Sequence, residues 1–531
     1  MFRPTSPQRP LFGVEHRMAE EKRKRLEASW AHPYRLRALG LIDEERFRRY
    51  FHEDDGRPNK SIRLVVSILI LKEIYDLTDC EALEQLEWNS AWHYALDLAP
   101  EDAHTCQKTL HNFRAKVLAD DEGASLFEET TARLIAAAAL RTARQRMDST
   151  HIVSNIKLLT RLGLFVQTLA GFLEALRNAH PRLCDRAPEG LRERYLDREG
   201  YFADAKSSEA PRRLEQAALD AHVLVTLFGE HKTVSRMPEF ELVARLYKEQ
   251  CVPPEVESPE RIALQESPSS SSLQSPSDPD VTYGHKGKGY EVQLAETCDP
   301  ENPFQAVTAV SVNGSNESDQ HHALAVIEQT ERTCGAAPEF MHADAGYGSG
   351  ENILSVRERG TELLAPIGAK AAEKLLPLAQ FVFDASGERV LKCPAGHAPV
   401  LLQPNRTNTA TQAFFAKPIC ANCPLRSQCP TEVRRDHRVL SFRDTDIATM
   451  YRREEQQTPE FKQLHKARSG IEATNSEFKR CHGLRKLRVR RRDRVNLSVR
   501  LKALALNLKR YVAHLTEVAL GGAAPEATCA C

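Results

Sequence analysis

The spacing of apolar residues predicts that the first quarter of the chain is helical. Between residues 34 and 140, apolar positions recur every three or four residues, as at Leu64, Ile68 and Leu71. A turn and helix start at 76–79 and further short helices near 80–88, 90–96 and 108–118 fit a helix-turn-helix-like DNA-binding module. A plain helical bundle without DNA contact fits the same pattern, so both interpretations stay open.

Strand signals begin at 144–152, a short stretch that carries Asp148 near its end. Helical periodicity returns over 155–257, and the Ser- and Pro-rich segment 258–280 is predicted to be a mobile linker without a core. Beyond it, the predicted strands are 290–297, 306–312, 338–344 and 361–367, and the predicted helices are 319–333 and one that starts near Glu351. Strands and helices that alternate in this way indicate an α/β sheet interrupted by a helical insertion.

Composition narrows the class of protein. At 531 residues the chain is long enough for two to four units, and 41% hydrophobic with 27% charged residues is typical of a globular protein. The zero net charge excludes a histone-like polycation, and no apolar run approaches the ~18–20 residues that span a bilayer. The Pro- and Arg-rich N-terminus has no apolar signal core, so secretory export is not expected.

Positive charge is concentrated near the C-terminus, where a helix is predicted over 465–480. Its residues Arg468, Glu472 and Lys479 fall on one face, because they are four and then seven residues apart. A carboxylate between two cations can hold a divalent metal while the cations bind phosphate. A dense basic run follows, with Arg485, Lys486, Arg488, Arg490, Arg491, Arg492 and Arg494. This combination indicates phosphodiester chemistry on a nucleic acid.

Two further acids occur at predicted strand ends, Asp148 and Asp344, and glycines follow the second at positions 346, 348 and 350. With Glu472 they make three carboxylates, enough to bind two Mg²⁺ or Mn²⁺ ions. An acid at a strand end is more often a cap or turn residue, and a helical glutamate is more often solvated. The hypothesis therefore depends on the three acids together, in this order and on these elements.

The cysteines form one cluster in an otherwise scattered set of thirteen. Four thiols suffice for a tetrahedral zinc site, with His397 as a possible substitute ligand. The four are Cys393, Cys420, Cys423 and Cys429. Reduced free thiols in a surface insertion are the alternative interpretation, and an iron–sulfur cluster is less favoured.

The 465–480 segment resembles the signature Tyr-x2-Arg-x3-Glu-x6-Lys of the DDE transposases of bacterial insertion sequences. Arg468, Glu472 and Lys479 match it, and His465 stands where the signature has Tyr. The stretches 147–150 and 342–347 are similar to the first and second aspartate segments of that family. The segments 57–60, 75–79 and 92–96 resemble its N-terminal helical domain, and 278–290 resembles its strand-entry segment. The resemblance covers about residues 34–510.

The resemblance implies a ribonuclease-H-like catalytic core, a mixed sheet flanked by helices, with an all-α N-terminal domain and a large helical insertion. Asp148, Asp344 and Glu472 would be the catalytic metal ligands. DNA would be contacted by His465, Arg468, Lys479, Arg485, Arg488, Arg490, Arg491 and Arg492, with Lys286 and Lys288 as further candidates. Lys286 and Lys288 fit a simple charged hairpin end equally well.

The expected activity is that of a transposase that binds the terminal inverted repeats of its insertion sequence, cuts at the ends and joins 3′-hydroxyls to target DNA. It would act on double-stranded DNA as a homodimer or higher oligomer, in the bacterial cytoplasm at the nucleoid. A metal-dependent nuclease without strand transfer and an inactive DNA-binding regulator remain as alternatives.

The expected domain boundaries follow from these patterns. They are a flexible basic N-terminus (1–33), the helical DNA-binding domain (34–140), the catalytic domain (141–154 and 281–510), the helical insertion (155–257), the linker (258–280), a cysteine-rich insertion (390–430) and a tail (511–531).

Overall fold

The fold is taken from a computed structural model of the whole chain. The residues it describes are 1–2, 4, 14–52, 55, 58–119, 122–196, 209–252, 262–368, 375–405 and 409–521. Arg57, Cys529, Cys531 and the start of the predicted linker lie outside these residues. No helix in the described part of the chain is both long and apolar enough to cross a membrane.

Helices make up the N-terminal part, as the apolar spacing predicts. They are α1 (Glu20–Glu27), α2 (Ala31–Pro33), α3 (Ile62–Ile74), α4 (Asp79–Trp88), α5 (Ser90–Ala95), α6 (Gln107–Ala119) and α7 (Glu122–Ala137). Helix α3 is apolar nearly all round and buried. Thr78 and Glu81 form a capping box that starts α4, which explains the sharp turn before it.

The sheet strand β1 (Arg144–Ile152) is followed by the helical insertion. Its helices are α8 (Arg161–Ala179), α9 (Pro181–Cys184), α10 (Glu189–Leu196), α11 (Ala210–Phe228) and α12 (Pro238–Gln250), followed by the short strands β2 (Cys251–Val252) and β3 (Ala263–Leu264). The insertion has its own apolar cluster, which includes Phe172, Phe228 and Phe240.

The rest of the sheet comes after the insertion. Its elements are β4 (Thr282–Gly284), β5 (Gly287–Thr297), β6 (Val307–Gly314), α13 (Ala323–Cys334), β7 (Phe340–His342), α14 (Gly350–Arg357) and β8 (Glu362–Leu364). The strand order is β6-β5-β1-β7-β8, with β4 also paired to β5. Strand β5 runs antiparallel to β1 and β6, whereas β7 and β8 run parallel to β1. The protein is thus a mixed α/β structure.

A small β-rich module follows, and then the C-terminal helices. The module contains β9 (Val382–Phe383), β10 (Val390–Lys392), β11 (Leu401–Pro404), β12 (Thr411–Ala416), α15 (Lys417–Ala421), β13 (Glu432–Val433) and β14 (His437–Phe442). The helices are α16 (Asp444–Glu455), α17 (Pro459–His465), α18 (Ile471–Cys481) and α19 (Arg492–Ala519). Helix α19 packs against α3, α7 and β6, so one apolar cluster joins the N-terminal helices to the sheet.

Three predicted boundary segments are more ordered than the sequence suggested. Phe2 and Leu26 of the supposedly flexible N-terminus are buried in the first apolar cluster. The last part of the linker, 272–279, is largely buried, because Leu273 enters the core of the insertion and Asp278 accepts hydrogen bonds from Ser154 and Tyr290, whereas 263–271 is half-buried or exposed. Helix α19 extends to Ala519, so the predicted tail begins as helix.

Candidate active site

Strand register places Asp148 and Asp344 side by side. Arg146 of β1 pairs with His342 of β7 in parallel, and each aspartate follows its paired residue by two positions. Asp148 is therefore in the middle of β1, not near a strand end as the sequence suggested, and Asp344 lies beside it, two residues beyond the end of β7. Burial raises the pKa of Asp148, Arg468 opposes this shift, and the charge of Asp344 adds to it.

Glu472 is connected to this pair through Arg468. The Nη2 atom of Arg468 lies 3.7 Å from Oδ1 of Asp148, and its Nη1 atom lies 3.2 Å from Oε1 of Glu472. Glu472 remains 64% exposed, whereas the Asp148 side chain is 14% exposed. Asn475, one turn beyond Glu472, donates a hydrogen bond of 3.1 Å to Oδ2 of Asp148. The guanidinium and the amide thus hold two carboxylates near each other.

The predicted single helix over 465–480 is wrong, because a 3₁₀ segment at Lys466–Gly470 separates α17 from α18. The cause lies in Arg146, whose Nη1 atom donates to the carbonyl oxygen of Ala467 at 3.1 Å. The amide of Ile471 instead donates to the carbonyl of Arg468, three residues back. Gly470 leaves room for the guanidinium, since a Cβ there would lie 1.8 Å from Nη1 of Arg146.

Helix α18 is fixed against the sheet by a buried acid, Glu296 of β5. Its carboxylate accepts a hydrogen bond of 2.8 Å from Thr474 and pairs with Arg146 and Arg510. Arg510 of α19 also contacts Glu477 at 3.2 Å. These contacts hold α18 against the sheet, where Asn475 reaches Asp148 of β1.

Sequence reasoning missed a polar layer beneath the two aspartates. Asp319 accepts hydrogen bonds of 2.9 Å from the Ser149 hydroxyl and from the Gln293 amide. Tyr347 donates to Gln293, and burial with the nearby charges of Asp319, Asp148 and Asp344 raises its pKa well above the usual value. Asp319 precedes a helix without any motif, so no local signal identifies it.

A positively lined cavity of about 950 Å³ opens beside the carboxylates. Asp148 and Glu472 line it together with four basic residues, Lys286, Lys479, Arg480 and Arg485. Burial lowers the pKa of Lys479, and the charge of Lys286 lowers it further. Arg485 is brought here because its carbonyl accepts from the amide of Val153, just beyond β1. The cavity combines acids with cations, as phosphate-directed chemistry requires.

Several predicted DNA contacts instead have partners within the protein. Lys288 donates to the carbonyl of Leu159 at 2.8 Å, and Lys286 pairs with Glu291 at 3.3 Å. His465 bonds the carbonyl of Ala343 at 2.9 Å, which fixes the backbone immediately before Asp344.

The basic run after α18 is divided in the same way. Arg488 binds Asp76, Arg490 donates to the carbonyl of Asn155, and Arg492 donates to the carbonyl of Val312. These three arginines attach the run to the body of the protein, which corrects the view of a continuous phosphate track. In the described part of the chain, the side chains of Arg485 and Arg491 have no hydrogen-bond or ion-pair partner.

The donor chemistry of the three acids fits Mg²⁺ or Mn²⁺, which prefer carboxylate oxygens. Among the described residues, however, no group of three or more His, Cys, Asp or Glu side chains is arranged to hold a metal ion. The expectation of a ready-made triad is therefore not met. Arg468 contacts both Asp148 and Glu472, and its buried Nε atom has no hydrogen-bond partner among the described residues.

The four predicted zinc ligands line one small cavity, although they too form no ready ligand group. Cys393, Cys420, Cys423 and Cys429 are all half-buried and reduced. Burial raises the pKa of the Cys420 thiol, Cys429 raises it further, and Arg438 opposes the shift. His397 lines the same cavity.

Two family models match the chain. The model described as Transposase DDE domain matches residues 392–512, and the model described as Transposase domain (DUF772) matches residues 26–116. Neither a curated protein nor a solved structure matches. The two family matches support a DDE transposase of the insertion-sequence type, so the resemblance is confirmed. The DDE match includes Glu472 and the cysteine cavity but neither aspartate.

Proposed function

We propose that this chain is a metal-dependent DNA transposase that cuts at the ends of its insertion sequence and joins the freed 3′-hydroxyls to target DNA. The observation that carries the proposal is the parallel register of β1 and β7, which puts Asp148 and Asp344 next to each other, with Glu472 tethered to Asp148 through Arg468. In the strand order β6-β5-β1-β7-β8, β5 alone runs antiparallel to the other four strands. This arrangement supports a ribonuclease-H-like core.

In this proposal Asp148, Asp344 and Glu472 would hold two Mg²⁺ or Mn²⁺ ions. The metals would lower the pKa of the attacking water or 3′-hydroxyl and stabilise the leaving oxygen. Arg468 must release at least one carboxylate for the acids to act as ligands, and a DNA phosphate can then accept its donors. Asn475 keeps Asp148 oriented through the amide hydrogen bond.

The cations of the cavity bind the DNA backbone beside the reacting phosphate. Lys479 and Arg485 line the cavity together with Asp148 and Glu472, and Lys286 would exchange its partner Glu291 for a phosphate. The helical domain that matches the DUF772 model reads the terminal repeats. Because both transposon ends must be joined to the same target DNA, we propose that the chain acts as a homodimer or higher oligomer on DNA. The proposed place of action is the bacterial nucleoid.

The test is a strand-transfer reaction with the purified full chain. Duplexes carrying the short inverted repeats that bracket the reading frame are incubated with Mg²⁺ or Mn²⁺ and a target plasmid. We expect metal-dependent nicking at the repeat ends and joined products. Asp344→Asn should abolish both while DNA binding persists, and Glu339→Gln, an exposed acid at the other end of β7, should leave both intact.

The other outcomes decide between the alternatives. Cleavage without joined products, in conditions where the repeats are bound, identifies a nuclease. Binding by the wild-type chain without any cleavage in either metal identifies a DNA-binding regulator.

A further inference from the structure

The small β-rich module has a cavity whose size and lining suit a single ion. Its volume is about 30 Å³, enough for an ion or one or two water molecules. The four cysteines surround it, and the remaining wall is largely apolar, including Phe381, Phe415 and Ile419. Sulfur ligands in an apolar enclosure select a soft or borderline metal over Mg²⁺.

A buried cation stands beside these thiols without an acidic partner. Arg438 of β14 is 9% exposed, lines the cavity and makes no salt bridge with the described residues. Its guanidinium donates to the hydroxyl and the carbonyl of Thr431, at 2.7 and 2.8 Å. Burying an uncompensated charge is costly, so negative charge is expected close by. Thiolates are the available source of that charge.

The hydrogen bonds run in the direction that a thiolate requires. The Thr431 hydroxyl accepts from Arg438 and donates to Sγ of Cys429 at 3.3 Å. This relay, from guanidinium through hydroxyl to sulfur, is the kind of outer contact that orients metal ligands and supports their charge. A plain packing role for Cys429 would need neither the relay nor the buried arginine.

Tight turns place the cysteines at the cavity. The backbone amide of Cys393 donates a hydrogen bond of 2.8 Å to the carbonyl of His397, which closes a turn. Gly396 in this turn has φ +85°, a conformation that residues with a side chain rarely adopt. Cys420 and Cys423 lie at the end of α15, joined by a backbone bond of 3.4 Å. The apolar cluster of the module is small, with eight buried residues, so a metal would supply stability that packing does not.

We propose that Cys393, Cys420, Cys423 and Cys429 bind one structural Zn²⁺ ion, with Arg438 and Thr431 as supporting residues. The thiols give up their protons to solvent on binding. The side chains must turn towards the cavity centre, because they do not form a ligand group as they stand. The inference does not rest on the transposase proposal, since it requires no DNA and no catalysis.

Metal analysis of the purified full chain tests the proposal. We expect about one zinc per chain, released when a mercurial reagent titrates the thiols. Cys423→Ser and Cys429→Ser should lose the zinc. Cys106→Ser is the control, because Cys106 is an exposed cysteine immediately before α6, and this variant should keep the zinc. Thr431→Val should retain the fold and weaken zinc binding about 10- to 100-fold.

A second measurement covers variants that fail to fold. Co²⁺ added to the metal-free wild-type chain should produce the strong visible absorption of tetrahedral thiolate coordination, and Zn²⁺ should displace it. Negligible zinc in the folded wild-type chain, stoichiometric iron in its place, or full zinc retention in Cys423→Ser would each overturn the proposal.

Discussion

The carboxylate site (Asp148, Asp344 and Glu472) and the cysteine cavity (Cys393, Cys420, Cys423 and Cys429) each have one arginine beside their donor atoms, but the two arginines act differently. Arg468 contacts the carboxylates directly, at 3.2 and 3.7 Å. Arg438 reaches a sulfur only through the Thr431 hydroxyl. The first arginine competes with a metal for its ligands, and the second supports ligands that a metal would share.

The two sites also differ in the scaffold that holds them. Asp148 and Asp344 are fixed by the register of neighbouring strands, which keeps them together whether or not a metal binds. The cysteines are carried by turns and a five-residue helix around a small apolar cluster. A site built on paired strands can be partly open and still keep its geometry, whereas a site on turns depends on its ligand for order.

The largest expected effect is on strand cleavage at the carboxylate site, whereas a change at the cysteine cavity should mainly affect stability. Asp148→Asn should lower strand cleavage by about 10³-fold or more, because a metal ligand is lost. It should leave the melting temperature unchanged or higher, since burial raises the pKa of Asp148 and its charge is unfavourable in the folded state. Cys429→Ser should lower the melting temperature by a few degrees and leave cleavage per folded molecule within a few-fold.

Cleavage assays and thermal unfolding on the same preparations check this pair of variants. If Cys429→Ser abolishes cleavage without changing stability, the cysteine cavity takes part in the reaction and the division between the sites is wrong.

The sequence predicted the elements of the carboxylate site better than their arrangement. Helix and strand spacing located β1, β7 and α18, because long periodic segments and strands bounded by turns are local signals. The break before α18 depends on Arg146, 321 residues earlier in the chain, whose guanidinium takes the Ala467 carbonyl. Spacing within a segment contains no information about such a distant donor.

The same limit explains the linker and the basic run. Serine and proline predicted a segment without a core, yet Leu273 and Asp278 meet partners supplied by the insertion and by β5. Arg488, Arg490 and Arg492 look like phosphate contacts in a charge count, but distant carbonyls and Asp76 bind them. Asp319 has no signal at all, since its importance comes only from Ser149 and Gln293.

Removing each arginine should change metal affinity in opposite directions. Arg468→Met takes away a competing cation, so Mn²⁺ should bind the carboxylate site about 10-fold more tightly, even though cleavage falls with the lost phosphate contact. Arg438→Met removes support for the thiolates, so zinc should bind about 10-fold more weakly. Mn²⁺ titration by electron paramagnetic resonance and zinc competition with a chelator measure the two affinities. Shifts in the same direction would end the distinction between competing and supporting arginines.

A buried ion pair that needs no metal provides a reference for both sites. Burial alone would raise the pKa of Glu73, but the charges of Lys502 and Lys72 outweigh it and lower the pKa to about 2. Because the folded-state pKa is depressed, this stabilisation is complete above the unfolded value of 4.5 and is lost as pH falls towards 2. Lys502→Met should make the free energy of unfolding less dependent on pH between about 2 and 4.5. The size of this change should be the same with and without chelator. In buffer without Mg²⁺ or Mn²⁺, chelator should change the unfolding of the wild-type chain through the cysteine cavity.

The smallest expected effect is on DNA binding by the cations that line the cavity beside the carboxylate site. Arg485→Ala should weaken binding to specific and random DNA alike by a few-fold and reduce the salt slope by about one unit. Arg485 lines the cavity with Lys479 and makes no ion pair among the described residues, so its charge is available to phosphate. Arg426→Ala is the matched control, an exposed arginine at the cysteine cavity that should leave the slope unchanged. Arg490→Ala should change stability more than the slope, because its guanidinium holds the Asn155 carbonyl at 2.6 Å. Equal slopes for Arg485→Ala and Arg426→Ala, measured by fluorescence anisotropy from low to moderate salt, would place the DNA path away from this cavity.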